Sequence, residues 1–199
     1  MFKLPENTSQ LVRSFSARFA VKPVLHAFTA ALLIFSCNAL GTDKLPANIL
    51  VLDFELNDLT LHPNIKHEEE RVKTLRPLLT QKLADDFTYS IAELSQSHRD
   101  SENKGKGYIF DRPEVAARMA RAADADWVVS GRLHKASFLF VYLKAQLIDA
   151  ADGRIAADFV VEIKGWEPRL TAKGVDALAL QIDESLRTLD GQTNTATTF

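Results

Sequence analysis

The chain has one cysteine, Cys37, in 199 residues. That excludes an internal disulfide framework and any cysteine-rich zinc site. It also lacks an excess of basic charge, with a formal net charge of −2. A nucleic-acid binder needs a basic face that releases counterions from phosphates, so no nucleic-acid partner is expected. No apolar run reaches the roughly 18–20 residues of a membrane-spanning helix. There is no G-x-S-x-G nucleophile elbow. The "GKGY" at Gly105–Tyr108 lacks the spacing of a phosphate-binding loop and reads as a flexible loop. His62 and His67 are five apart, which does not place two ligands on one helix face. The run Glu68–Glu70 beside them reads as the solvated, acidic start of a helix.

What is present begins with a leader. Residues 1–22 carry Lys3, Arg13, Arg18 and Lys22 against a single acid, Glu6. The apolar stretch "VLHAFTAALLIFSC" follows, Val24 to Cys37. A charged segment, a short apolar segment and small residues make a secretory signal peptide over residues 1–41. Ala39-Leu40-Gly41 gives a small-x-small cleavage site before Thr42. The alternative is lipoprotein cleavage with Cys37 acylated, against which bulky Phe35 stands near the cut. Loss of the leader removes four basic residues and one acid, leaving 20 basic against 25 acidic and a charge of −5.

The remainder reads as one α/β domain, residues 42–189, with a polar, disordered tail at 190–199. "NILVLDFEL", Asn48–Leu56, is a strand covered on both faces. Alternation sets Leu50, Leu52, Phe54 and Leu56 on one face and Ile49, Val51, Asp53 and Glu55 on the other. Val72, Leu75, Leu79 and Leu83 recur at helical spacing, with Pro77 inside the pattern as a kink or a late start. Tyr89–Leu94 is a second strand, and Ser95–Tyr108 a loop. Asp111 and Glu114 form a capping box for the next helix. Trp127–His134, Phe138–Ile148 and Ile155–Lys164 are strands, the last two joined by an Asp152-Gly153 hairpin turn. Val175, Leu178, Ile182, Leu186 and Leu189 mark a final helix. The order β-α-β-α-β-β-β-α predicts parallel pairing in the first half, an antiparallel meander in the second, and a mixed sheet with helices packed on it.

That order resembles the amino-terminal domain of TolB and the related periplasmic domain of CsgG-type secretion lipoproteins. "VLDFELNDLTL", "ADWVVSGRLHKAS" and "LIDAADGR" also resemble an uncharacterised family of exported proteobacterial proteins. This resemblance covers about Asn48 to Leu189 and implies a periplasmic location. It further implies a link to periplasmic alcohol oxidation, which composition and spacing do not carry.

Asp53, Glu55, Asn57 and Asp58 are the candidate ligand-binding residues. They fall at the C-terminal end of the first strand, where open α/β sheets place ligand sites. Carboxylates and amides at this spacing can hold Mg²⁺ or Ca²⁺, and one carboxyl can act as an acid. The other reading is structural: caps, ion pairs with Arg or Lys, or solvated side chains. Trp166, flanked by Gly165 and Pro168, is a candidate partner anchor. Trp127 and the Ser130-Gly131-Arg132 run read as packing. "SFLFVYL", Ser137–Leu143, is either core or a template for a partner strand. With no cofactor motif, no catalytic residue and no metal site assigned, the expected function is a non-enzymatic periplasmic module acting on another envelope protein. The alternative is a small-ligand or divalent-cation sensor or hydrolase using Asp53, Glu55 and Asp58.

Overall fold

Six strands and four helices account for the fold in a computed structural model, which describes residues 47–60, 65–165 and 167–196. The sequence places Trp166 and Cys37, and the leader around Cys37, outside the described residues. The strands are β1 (Asn48–Val51), β2 (Glu55–Asp58), β3 (Ser90–Ala92), β4 (Trp127–Lys135), β5 (Phe140–Asp149) and β6 (Ile155–Lys164). The helices are α1 (Ile65–Asp85), α2 (Gln96–Glu102), α3 (Pro113–Ala122) and α4 (Pro168–Ala196).

The sheet runs β3-β1-β4-β5-β6, and β2 also pairs with β4. β1 is parallel to β3 and β4, and β2 is parallel to β4. β4, β5 and β6 form an antiparallel meander. The expected mixed α/β sheet is therefore borne out.

Two apolar cores lie on opposite faces of this sheet. On one face Ile49, Val51, Val129, Leu143 and Val161 pack against Leu75 and Leu79 of α1 and Leu178 and Ile182 of α4. On the other, Leu50, Leu52, Val128 and Ile148 pack against Val115 and Met119 of α3. Each fully buried Leu or Ile contributes about 1.5–3 kcal/mol relative to exposure, so the double covering of β1 anchors the sheet. α1 runs unbroken across Pro77, neither starting late nor ending there. Its buried stripe of Val72, Leu75, Leu79 and Leu83 holds the helix where proline removes one backbone donor.

Four local expectations change. First, the strand expected over Asn48–Leu56 is two strands offset by a bulge. Val51 pairs with Val129, but Glu55 pairs with Arg132. Three residues, Leu52 to Phe54, thus oppose two on β4, and the extra one exchanges the faces that follow. Phe54 joins the core of Ile49 and Val51, not the face of Leu50. Second, Ser95–Tyr108 contains α2, capped by the Ser95 hydroxyl accepting from the His98 N–H. Third, Asp111 does not cap α3. Arg112 occupies the cap position without a side-chain bond, and Asp111 faces Arg132 at 3.3 Å instead. Fourth, α4 carries helical backbone through Ala196, where a disordered tail was expected. Adding turns costs little once Val175, Leu178 and Ile182 have nucleated the helix against the sheet. The Asp149–Arg154 hairpin matches expectation, closed by the Asp149 N–H donating to the Arg154 carbonyl at 2.9 Å.

Candidate functional site

The bulge decides where each predicted acid goes. It depends on Gly131: a Cβ there would lie 2.0 Å from the Phe54 ring. Glycine therefore lets that ring lie flat on β4, and Phe54 is turned inward. Asp53 is left outside, and Glu55 and Asp58 end on opposite faces of β2.

Asp53 is an exposed clasp. Its carboxylate is 2.8 Å from Arg76 Nε on α1 and 3.7 Å from Arg99 on α2. Arg99 is buried and donates twice to the Leu94 carbonyl, at 3.0 and 2.7 Å.

Glu55 faces the loop between α2 and α3. Its Oε2 accepts from the Gly107 N–H at 2.8 Å and lies 3.4 Å from Arg132. Gly107 holds a positive φ of 81°, so glycine permits the turn that aims this N–H at the carboxylate. The loop read as free is thus tied down at Gly107. Oε1 of Glu55 is buried and has no hydrogen-bond partner among the described residues. Burial pushes the Glu55 carboxyl above its ordinary value, and Arg132 and the Gly107 N–H only partly offset this. Arg132 also stacks over the Phe110 ring at 4.3 Å. A cavity of about 330 Å³ opens beside these groups, bordered by Glu55, Asn57, Asp58, Lys106 and Arg132 among others.

Asn57 lies on the same face and meets Nδ1 of His134 at 3.1 Å. Burial lowers the His134 pKa, and Lys144 and Arg132 lower it further. Neutral His134 can accept from the Asn57 amide.

Asp58 lies inside, on the α1 side. One oxygen accepts from the Thr60 N–H at 2.8 Å and the Thr60 hydroxyl at 2.6 Å. The other is 3.5 Å from Lys135 Nζ, which is 3.1 Å from Glu68. Glu68 is 3.5 Å from Arg71, which donates to Thr171 at 2.8 Å. Burial alone would raise the Asp58 carboxyl. The two Thr60 bonds and then Lys135 outweigh it, so the pKa falls below the ordinary value. Two acids and two bases thus form a buried chain joining β2, β4, α1 and α4. Glu68 was expected in water and is instead buried at 4% exposure. Its spacing of three and four from Arg71 and Val72, on the apolar stripe of α1, was the available signal. Nothing in the pattern of β4 marked Lys135.

Glu55, Asn57 and Asp58 thus border one cavity while each is held by different partners, and Asp53 stands apart from them. Among the described residues no group of three or more His, Cys, Asp or Glu side chains is placed to hold a metal ion. A larger groove of about 790 Å³ lies elsewhere, between α1 and α4, along Thr74, Pro77, Leu78 and Ala172. No helix among the described residues is long and apolar enough to cross a membrane.

Among the described residues, several exposed large apolar side chains lie at the β4–β5 turn and just after β2. Phe138, Leu139 and Phe140 in the β4–β5 turn are 67%, 72% and 42% exposed. Leu59, 59% exposed, follows β2 and donates its N–H to the Lys135 carbonyl. The turn is braced, because the Ser137 hydroxyl accepts from the N–H groups of Leu139 and Phe140 at 3.3 and 3.1 Å.

Fold and site together define a three-layer α/β domain whose acidic strand end is built into ion pairs and whose β4–β5 turn exposes apolar side chains. Within that class the chain belongs to DUF3280, a family described as "Protein of unknown function (DUF2380)", matched over residues 47–182. No curated protein matches the chain. Among solved structures it is similar to the LpoB C-terminal domain from Salmonella enterica, at 16% identity and TM-score 0.42, covering 61% of this chain and 87% of that one. It is similar to lipoprotein GNA1162 from Neisseria meningitidis, at 17% identity and TM-score 0.46, covering 70% and 99%. A PelC dodecamer from Paraburkholderia phytofirmans gives 15% identity and TM-score 0.44, covering 70% and 87%.

Proposed function

We propose that this chain is a non-enzymatic periplasmic module that binds or assembles another envelope protein. The contact is made by the apolar sheet end. The observation that carries this reading is the braced β4–β5 turn, which holds Leu139 72% exposed and Phe140 42% exposed. Rigid, adjacent apolar side chains suit a protein interface, because little entropy is lost when they are covered. The ion pairing of Asp53, Glu55 and Asp58 supports the non-enzymatic part. The periplasmic location rests on the leader. The TolB-type resemblance rests on element order, and the link to alcohol oxidation on the family resemblance alone. Trp166, which lies outside the described residues, is proposed as a partner anchor from its sequence setting alone. A photoreactive residue at position 139, in cells, should give a discrete adduct to one envelope protein by mass spectrometry. The same residue at position 184 on α4 should not. Equal labelling at both positions would remove the reading.

One observation favours the second reading, a small-ligand or divalent-cation sensor or hydrolase. Glu55 borders the cavity, and its Oε1 is buried without a hydrogen-bond partner among the described residues. Calorimetry with Mg²⁺ and Ca²⁺, on the wild type and on Glu55→Gln, tests it. Heat that vanishes in the variant supports a site at Glu55, and no heat with either ion rejects the cation.

A further inference from the structure

β6 is a ten-residue strand at the edge of the sheet, and no described strand pairs with its outer side. The direction of its backbone groups follows from the pairing. Between β4 and β5, Ala136 bonds to Phe140 and Ala150 to Asp126. In an antiparallel ladder bonded and non-bonded pairs alternate, so the even-numbered residues of β5 turn their backbone toward β4. The odd ones turn toward β6, where Val141, Leu143 and Ala145 meet Ile163, Val161 and Phe159. The backbone N–H and C=O groups of Asp158, Val160, Glu162 and Lys164 therefore point outward along the free edge. The side chains of these four residues are exposed as well, on the face away from α4.

We propose that this edge is covered by β6 of a second copy, antiparallel and centred on Val161. This goes beyond the partner-binding reading and uses a different surface. Charge selects the register. Centring on Val160 would oppose Asp158 to Glu162, and centring on Glu162 would oppose that residue to itself. Both place like charges directly across the ladder, which is destabilising. Centring on Val161 opposes Asp158 to Lys164 twice by symmetry, and Val160 to Glu162. It also matches the outward backbone groups, since the even-numbered residues become the bonded pairs. Val160, 59% exposed, gains cover near the twofold axis. Among the described residues Lys164 makes a loose contact with Glu162 in its own strand, at 3.9 Å, which exchange with Asp158 of the second copy replaces. Charges on an edge normally discourage pairing. Here their order keeps this register open and penalises those one residue to either side, and the interface is isologous and closed.

Sedimentation velocity on the purified protein over a concentration series tests this. A monomer–dimer equilibrium is expected. Asp158→Lys should weaken it by about tenfold, because two attractive pairs become repulsive. The double variant Asp158→Lys with Lys164→Asp should restore it, since the pair is only reversed. Val160→Pro should abolish it while circular dichroism stays unchanged, because the lost N–H faces outward. A chain that stays monomeric throughout the series overturns the proposal. So does a dimer indifferent to Asp158→Lys, or a double variant no better than the single one.

Discussion

Glu55 and Asp58 are the two ends of one four-residue strand, and their surroundings are opposite. Asp58 faces inward, saturated by Thr60 and Lys135 within a chain that reaches α4. Glu55 faces the α2–α3 loop with one oxygen satisfied and the other buried without a partner among the described residues. The first environment holds its carboxyl ionised, and the second favours the neutral form. Similar acids three residues apart differ because a strand sends odd and even positions to different faces. A bulge one residue earlier chose which face each received. Around Asp58 the charges tie layers together, whereas around Glu55 they hold the α2–α3 loop to the sheet.

The largest effect should come from emptying the inner side. Lys135→Met leaves Asp58 and Glu68 buried with Arg71 as their remaining cation. Removing one member of a buried ion pair typically costs about 3–5 kcal/mol. Urea unfolding should show that loss with an unchanged slope. A cost under about 1 kcal/mol would mean that the chain is hydrated as a surface pair is.

Gly131→Ala attacks the device that separates the two faces. Its new methyl must displace the Phe54 ring, an overpacking change of about 1–3 kcal/mol. Combining it with Phe54→Leu should recover part of that loss in a double-mutant cycle. Strict additivity would place the strain elsewhere.

On the outer side Arg132→Met should cost less, about 1 kcal/mol, because Glu55 can take up a proton once its cation is gone. Unfolding measured beside Lys135→Met ranks the two faces directly. An equal or larger loss for Arg132 would reverse the comparison.

The legible part of this molecule was its periodicity. Val72 to Leu83, Val175 to Leu186 and the β4–β6 run each obey one spacing over many residues, so summed burial forces the element. A single inserted residue is invisible to such patterns. Leu52, Asp53 and Phe54 alternate as well in a continuous strand as in a bulged one, and the strain appears only where Phe54 meets Gly131 across the ladder. α2 escaped because Gln96–Glu102 has no apolar stripe and shows itself only through the Ser95 cap. For the site, the four residues were legible as a group, whereas the partners that hold them were not. Lys135, the Glu68 and Arg71 pair, and Gly107 come from three distant segments, and only the folded sheet brings them together around β2.

The smallest effect is also the sharpest, because the two carboxyls predict opposite slopes. A carboxyl raised in the folded state stabilises most when protonated, and that contribution is lost as pH climbs through its folded pKa. For Glu55 the window lies above its ordinary value of 4.5. Glu55→Gln should therefore gain on the wild type as pH rises above that ordinary value, where the unfolded chain ionises before the folded one. A depressed carboxyl behaves inversely: Asp58 contributes fully above its ordinary value of 3.8. That contribution fades only as pH falls below it, through the folded pKa. Asp58→Asn should show a constant cost at neutral pH that shrinks in acid. Parallel pH profiles of unfolding free energy for the two variants should diverge at opposite ends of the scale. If both costs moved together, one electrostatic environment would serve both ends of β2, and the bulge would not be what sets them apart.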